Sequence, residues 1–109
     1  MYNMEGVFFE LGDFKFNWDR KKAHANAKKH GISFEEAASV WLDPNSIELL
    51  DEEHSDSEDR WFKIGLSLRG ALIVVWWTIR YQSDIEWIRL IGARKANRKE
   101  NQLYEQEKN

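Results

Sequence analysis

Cysteine is absent from the 109 residues, and proline occurs once. The first absence excludes a disulfide framework and any thiolate-held metal, and it fits a reducing compartment. The second, with little low-complexity sequence, argues against a disordered chain. Long apolar runs are missing too. The longest, ALIVVWWTI at 71–79, is too short to span a bilayer as a helix, so a cytoplasmic chain with no membrane partner is expected. The start, MYNMEGVFFELGD, lacks the basic-then-apolar pattern of a signal peptide. An overall excess of basic charge is also lacking. The net charge of −3 speaks at first against nucleic acid.

The distribution of charge reverses that impression. Residues 15–34 carry +5 and 60–99 carry +7, while 35–59 hold ten acidic residues and no basic one. Segregation of this kind hides a basic surface inside an acidic total. Hydrophobic residues make up 42%, with six Trp, enough for a dense core in a single domain spanning 1–109.

Local patterns give an element order. FKFNW at 14–18 alternates apolar with polar and reads as a strand. Asp19 can cap a helix running to about Lys29, with Lys28, Lys29 and His30 favouring its C-terminal dipole and Gly31 ending it. Ser33 and Glu36 have the spacing of a capping box. The helix they open buries Phe34, Ala37, Ala38 and Trp41, and Asp43-Pro44-Asn45 ends it. Strands follow at 46–50, 61–68, 71–79 and 85–93, with 51–59 as a polar loop and Arg69-Gly70 as a two-residue hairpin turn. Asn97 and Glu100 cap a last helix through about Gln106. This predicts an α+β domain with helices against one face of a small antiparallel sheet.

Three stretches resemble the BrnT toxin family, also known as DUF497. They are FNWDRKKAHANAKKHGISFEEAASVW, HSDSEDRWFKIGLSLRGALIVVWWT and IRLIGARKANRKENQLYE, together spanning 14–104. Residues 1–13 then form an N-terminal extension, either an added edge strand or a start-site artefact, and 105–109 a tail. Gly92 stands where that family often has Ser, and Asn97 where Ser or Thr usually caps. The resemblance implies a RelE-like ribonuclease fold, with two N-terminal helices and a C-terminal helix on the sheet. It implies the toxin of a bacterial type II toxin–antitoxin pair, which cleaves RNA, slows translation and is held inactive by an antitoxin. A ribbon-helix-helix DNA-binding protein is the expected antitoxin, with DNA reached only through it.

RNA can be cut without metal or other cofactor when its 2′-hydroxyl attacks the adjacent phosphate. That needs a base, an acid for the leaving oxygen, and cations for the charge on phosphorus. Arg89 and Arg94 fall on the family's C-terminal motif and are the expected phosphate ligands, since the guanidinium fork matches two phosphate oxygens. Arg89 should share a strand face with Trp87 and Ile91. Arg60 has two readings, phosphate ligand or salt-bridge partner of the acidic loop. His30 and His54 fall on family motifs and suit proton transfer. His30 reads first as helix punctuation and second as a catalytic group, oriented by the Lys22–Asn26 stripe. His54 lies in an acidic run that matches no metal-ligand spacing, so no metal is expected there. Lys29, Lys95 and Arg98 are candidate RNA contacts; Arg98 could equally be a salt-bridge residue. Tyr104 packs or acts as an acid. Trp76 and Trp77 are strand neighbours and face opposite ways, so at least one is a candidate antitoxin contact. A non-catalytic binding module is the rival reading, because no unambiguous acid–base pair stands out.

Overall fold

A computed structural model describes residues 5–108. The chain forms β1 (Val7–Leu11), β2 (Phe14–Trp18), α1 (Arg20–His30) and α2 (Phe34–Ala38). After them come β3 (Ile47–Leu50), β4 (Trp61–Leu66), β5 (Leu72–Gln82), β6 (Ile85–Lys95) and α3 (Arg98–Glu107). One sheet of six strands has the order β1-β2-β6-β5-β4-β3.

Two expectations change. Strands precede the helices, because the segment before Phe14 forms β1 and pairs antiparallel with β2 as an edge hairpin. The sheet is also mixed rather than antiparallel: β2 lies parallel to β6, pairing Phe16 with Ile88, Asn17 with Arg89 and Trp18 with Leu90. That pairing joins sequence segments far apart, and no local pattern announces it.

The expected caps are present. The Asp19 carboxylate accepts from the Lys22 amide at 3.0 Å, and Gly31 ends α1 at φ +69°, a left-handed conformation that costs glycine little. The Ser33 hydroxyl accepts from the Glu36 amide at 3.0 Å, but the Glu36 carboxylate takes the Ser67 hydroxyl at 2.8 Å rather than closing the box. The box at α3 is complete between Asn97 and Glu100. α2 stops at Ala38, and a 3-10 turn over Ser39–Leu42 carries the chain on.

The hairpin turns differ as well. β4 and β5 join through five residues, Ser67 to Ala71, closed by the Ser67 amide on the Ala71 carbonyl, with Gly70 at φ +82°. β5 runs on past Ile79 to Gln82, and the tight turn is Ser83-Asp84, both at positive φ. The register slips between Trp76 and Trp77, which face Gly92 and Leu90, so Ile91 is an extra residue on β6.

Helices lie on both faces of the sheet rather than on one as expected, because alternation leaves apolar residues on each side, and the two faces are unequal. On the front, α1 and α2 close a core of Phe16, Trp18, Phe34, Ile73, Val75 and Leu90. On the back, α3 covers a smaller cluster of Ile64, Val74 and Tyr104 at one end. Tyr104 donates to Asp43 at 2.7 Å; burial first, and that bond second, push its phenol up to about 12. The phenol therefore stays protonated at neutral pH and is packed at the α3 end of the back face.

Candidate active site

The site lies on the back face beyond α3. Alternation along β6 puts Trp87, Arg89 and Ile91 on this face, and the extra residue at the bulge shifts the alternation so that Arg94 joins them. The acidic segment after β3, expected as a solvated loop, is folded back against it. The Asp51 amide donates to the Arg60 carbonyl at 2.8 Å. The Ser55 hydroxyl donates to the Asp51 carbonyl at 2.7 Å and accepts from the Arg60 amide at 2.9 Å. Buried Thr78 on β5 donates to the Asp59 carbonyl at 2.6 Å. Glu58 accepts two bonds from Arg80, at 3.0 and 3.2 Å. Those bonds hold Glu58 below the usual carboxylate range, with Arg60 and Arg89 adding attraction. The loop is a built wall, and three arginines lie within electrostatic reach of one carboxylate.

Within this wall His54 ends a 3-10 turn, Glu52–His54, and its Nδ1 meets Asp51 Oδ2 at 2.9 Å. Asp51 is buried while the imidazole is exposed. A carboxylate on Nδ1 holds the proton there and leaves Nε2 as the basic nitrogen. His54 and Arg60 line a cleft of about 200 Å³ with Asp51, Trp76 and Ile91. The Arg60 guanidinium forms no side-chain hydrogen bond or ion pair among the described residues. The cleft thus holds an imidazole fixed by a carboxylate, a guanidinium and an aromatic ring.

The other expected site residues fall differently. Arg94 lies over the Trp76 ring at 5.1 Å, and its fork is taken by Glu100 at 2.8 and 2.9 Å. That pair holds Glu100 below and Arg94 above their ordinary values. Arg89 donates to the Asn17 side-chain oxygen and to the Glu5 carbonyl. It shares a groove of about 450 Å³ with Asp19, Arg20 and Lys21. His30 ends α1, which packs on the front. Asn26 does not orient it: its side chain accepts from the Ala93 amide at 3.0 Å and donates to the Ile32 carbonyl at 3.1 Å. Asn26 satisfies a β6 donor where β2 has ended. Lys29, Lys95 and Arg98 are exposed, on α1, at the end of β6 and in the first turn of α3.

Trp77, one of the two candidate antitoxin contacts, is buried in the free chain. It is 6% exposed, packed between Trp41 and Trp61 on the front, because the apolar layer under the 3-10 turn closes over it. Trp76 is the half-buried member and faces the cleft. Asp51 and Ser55 were invisible as site builders in the sequence. Only the i, i+3 spacing of Asp51 and His54 hinted at their contact.

A small α+β domain that gathers arginines and a carboxylate-held histidine on one open sheet face is suited to handling a phosphodiester. A family model described as "Ribonuclease toxin, BrnT, of type II toxin-antitoxin system" matches residues 18–100. The chain belongs to that family of ribonuclease toxins, which implies an antitoxin partner. No curated protein matches the chain. Among the described residues no helix is long and apolar enough to cross a membrane.

Proposed function

We propose that the protein is a metal-independent endoribonuclease, RelE-like in fold and cytoplasmic in location, which inhibits translation by cutting RNA. The observation that carries this reading is the His54–Arg60 cleft, where a histidine fixed by Asp51 lies beside a guanidinium that forms no side-chain hydrogen bond or ion pair among the described residues. His54 Nε2 takes the proton from the 2′-hydroxyl as that oxygen attacks phosphorus, and the imidazolium is then held by Asp51. Arg60 offsets the charge building on the phosphate oxygens. The proton returns to the leaving 5′-oxygen, leaving a 2′,3′-cyclic phosphate. Trp76 provides a face for a base next to the scissile bond.

Arg89 extends the cationic face and holds a neighbouring phosphate. Arg94 works through Trp76, holding the ring with its guanidinium while anchoring α3 through Glu100. Lys95 and Arg98 contribute diffuse attraction. His30, at the end of a front-face helix, is punctuation. The antitoxin is a ribbon-helix-helix protein that covers the cleft, with Trp76 as an anchor.

The test is incubation of purified protein with a structured RNA, with and without EDTA. Cuts in both conditions ending in cyclic phosphate, and their loss in Arg60→Ala, are the expected result. An intact fold that cuts under neither condition would leave the binding-module reading.

A further inference from the structure

The cleft does not use the most basic element of the molecule. α1, RKKAHANAKKH, carries five Lys or Arg, two His and no acidic residue. It buries no side chain, and Arg20, Lys21, Lys22, Lys28 and Lys29 are all exposed. None of these five forms an ion pair or a side-chain hydrogen bond with another described residue. Elsewhere Lys15, Lys63, Arg80, Arg94 and Lys108 are each paired with a glutamate. Arg60, Arg69, Lys95, Arg98 and Lys99 also form no ion pair among the described residues, but they are spread over a loop, a turn, a strand end and α3, whereas α1 holds five cations in 11 residues with no acidic residue among them.

Helix stability does not explain them. Arg20, Lys21 and Lys22 occupy the first turn, where the helix dipole disfavours positive charge. Only Lys28, Lys29 and His30 sit at the favourable end. The arrangement costs the free helix something, and a bound polyanion would offset that cost.

The geometry selects the polyanion. Lys21 with Lys28, and Lys22 with Lys29, are seven residues apart, about 10.5 Å along a helix. Two such rows make a ridge of regularly spaced cations. α1 contains no Phe, Tyr or Trp, so the ridge offers no indole or phenyl platform for unstacked bases. A regular phosphate backbone fits this surface better than a single strand. The cleft is the reverse case, with one Trp and few cations. A groove lined by Glu5, Gly6, Asp19, Arg20, Lys21 and Arg89 sets the start of α1 next to Arg89, which lies on the same sheet face as the cleft.

We propose that α1 is a second RNA-binding surface that grips the phosphates of a base-paired segment while an unpaired segment enters the His54–Arg60 cleft. The substrate class is then structured RNA carrying a helix next to a single strand. This rests on the ribonuclease reading, but its own test is binding rather than cutting.

Fluorescence anisotropy with a labelled RNA duplex, the matching single strand and a DNA duplex, across a potassium chloride series, decides it. Three proteins are compared: the parent, the triple variant Lys21→Gln/Lys22→Gln/Lys28→Gln, and His54→Ala. The parent and His54→Ala should bind the RNA duplex alike. The triple variant should bind it at least about tenfold more weakly, its log K against log salt slope shallower by roughly two to three, near 0.9 per lost phosphate contact. A folded triple variant, shown by an unchanged melting curve, that keeps the parent slope would overturn the proposal. So would a parent that prefers the single strand or the DNA duplex. If the parent cuts no RNA while the triple variant loses duplex binding, the catalytic reading falls and the α1 surface stands.

Discussion

The two faces of the sheet divide the work. The front is closed: two helices lie on it, Phe16, Ile73 and Val75 are fully buried, and aromatic rings pack from Phe9 through Trp18 to Phe34. The back is covered only at the α3 end, and beyond it Thr78, Asp51, Arg60, Arg80 and Arg89 make a polar surface held by hydrogen bonds. An apolar face can be sealed by any well-shaped partner. A cationic face must keep its charges apart and in water, so it needs a scaffold of its own. Here that scaffold is the acidic segment 51–59. One sheet, 11 residues long at its central strands, thus separates an apolar core from a polar, arginine-bearing surface.

The sharpest way to break this division is a pair of truncations. Phe16→Ala should cost about 3–5 kcal/mol, the range for a fully buried aromatic, while molecules that remain folded cut at the parent rate. Trp76→Ala, half-buried on the back, should cost less stability and lose most cutting. Urea denaturation beside single-turnover cleavage checks both. Equal stability losses would erase the distinction between the faces.

A second test sits where the back face meets α3. Arg94→Ala should cost about 1–2 kcal/mol, because two charge-assisted bonds to a partly exposed Glu100 are lost. Glu100 titrates below its ordinary 4.5 in the folded chain. Its contribution is therefore present above the unfolded value and is lost as pH falls through the folded one. Melting curves from pH 7 to pH 3 should show a smaller acid-side decline in Arg94→Ala than in the parent. If the two profiles are parallel, the pair does not anchor the helix.

Tyr104→Phe probes the same end from the buried side, at about 1 kcal/mol. With its phenol raised to about 12 against an ordinary 10, Tyr104 stabilises fully below pH 10 and loses that effect as pH rises through the folded value. The variant should lack that alkaline loss, as read by denaturation at pH 9 and pH 11. The smallest effect is Ser33→Ala on the front. Losing the cap on α2 should cost on the order of 1 kcal/mol with cleavage per folded molecule unchanged.

Much of this was legible locally. Asp19, Gly31, Ser33 and the Asn97–Glu100 box mark helix ends through contacts within four residues, and strand alternation placed Arg89 with Trp87 correctly. What was hidden depends on distant pairing. β2 meets β6 across some 70 residues of chain, and Asn17 meets Arg89 only through that pairing. Trp77 looked like a candidate surface residue because its strand is apolar on both sides. Its burial depends on Trp41, which comes from another element. In the site, a run of acids around His54 reads as solvated loop. Only the bonds to Thr78, Ser55 and Arg80 turn it into a wall. Arg94 carried the family motif, yet its partner lies six residues on, beyond a strand end and a cap.

The most direct test of the account is the rate of RNA cleavage in EDTA by His54→Ala, set against His30→Ala and the parent. Proton transfer by a positioned side chain contributes about 10²–10⁴-fold. His54→Ala should lose rate on that order, with an unchanged melting curve, and His30→Ala should cut at the parent rate. A parent-like rate for His54→Ala, with the loss falling on His30→Ala, would move the chemistry to the other face of the sheet and contradict the role of His54.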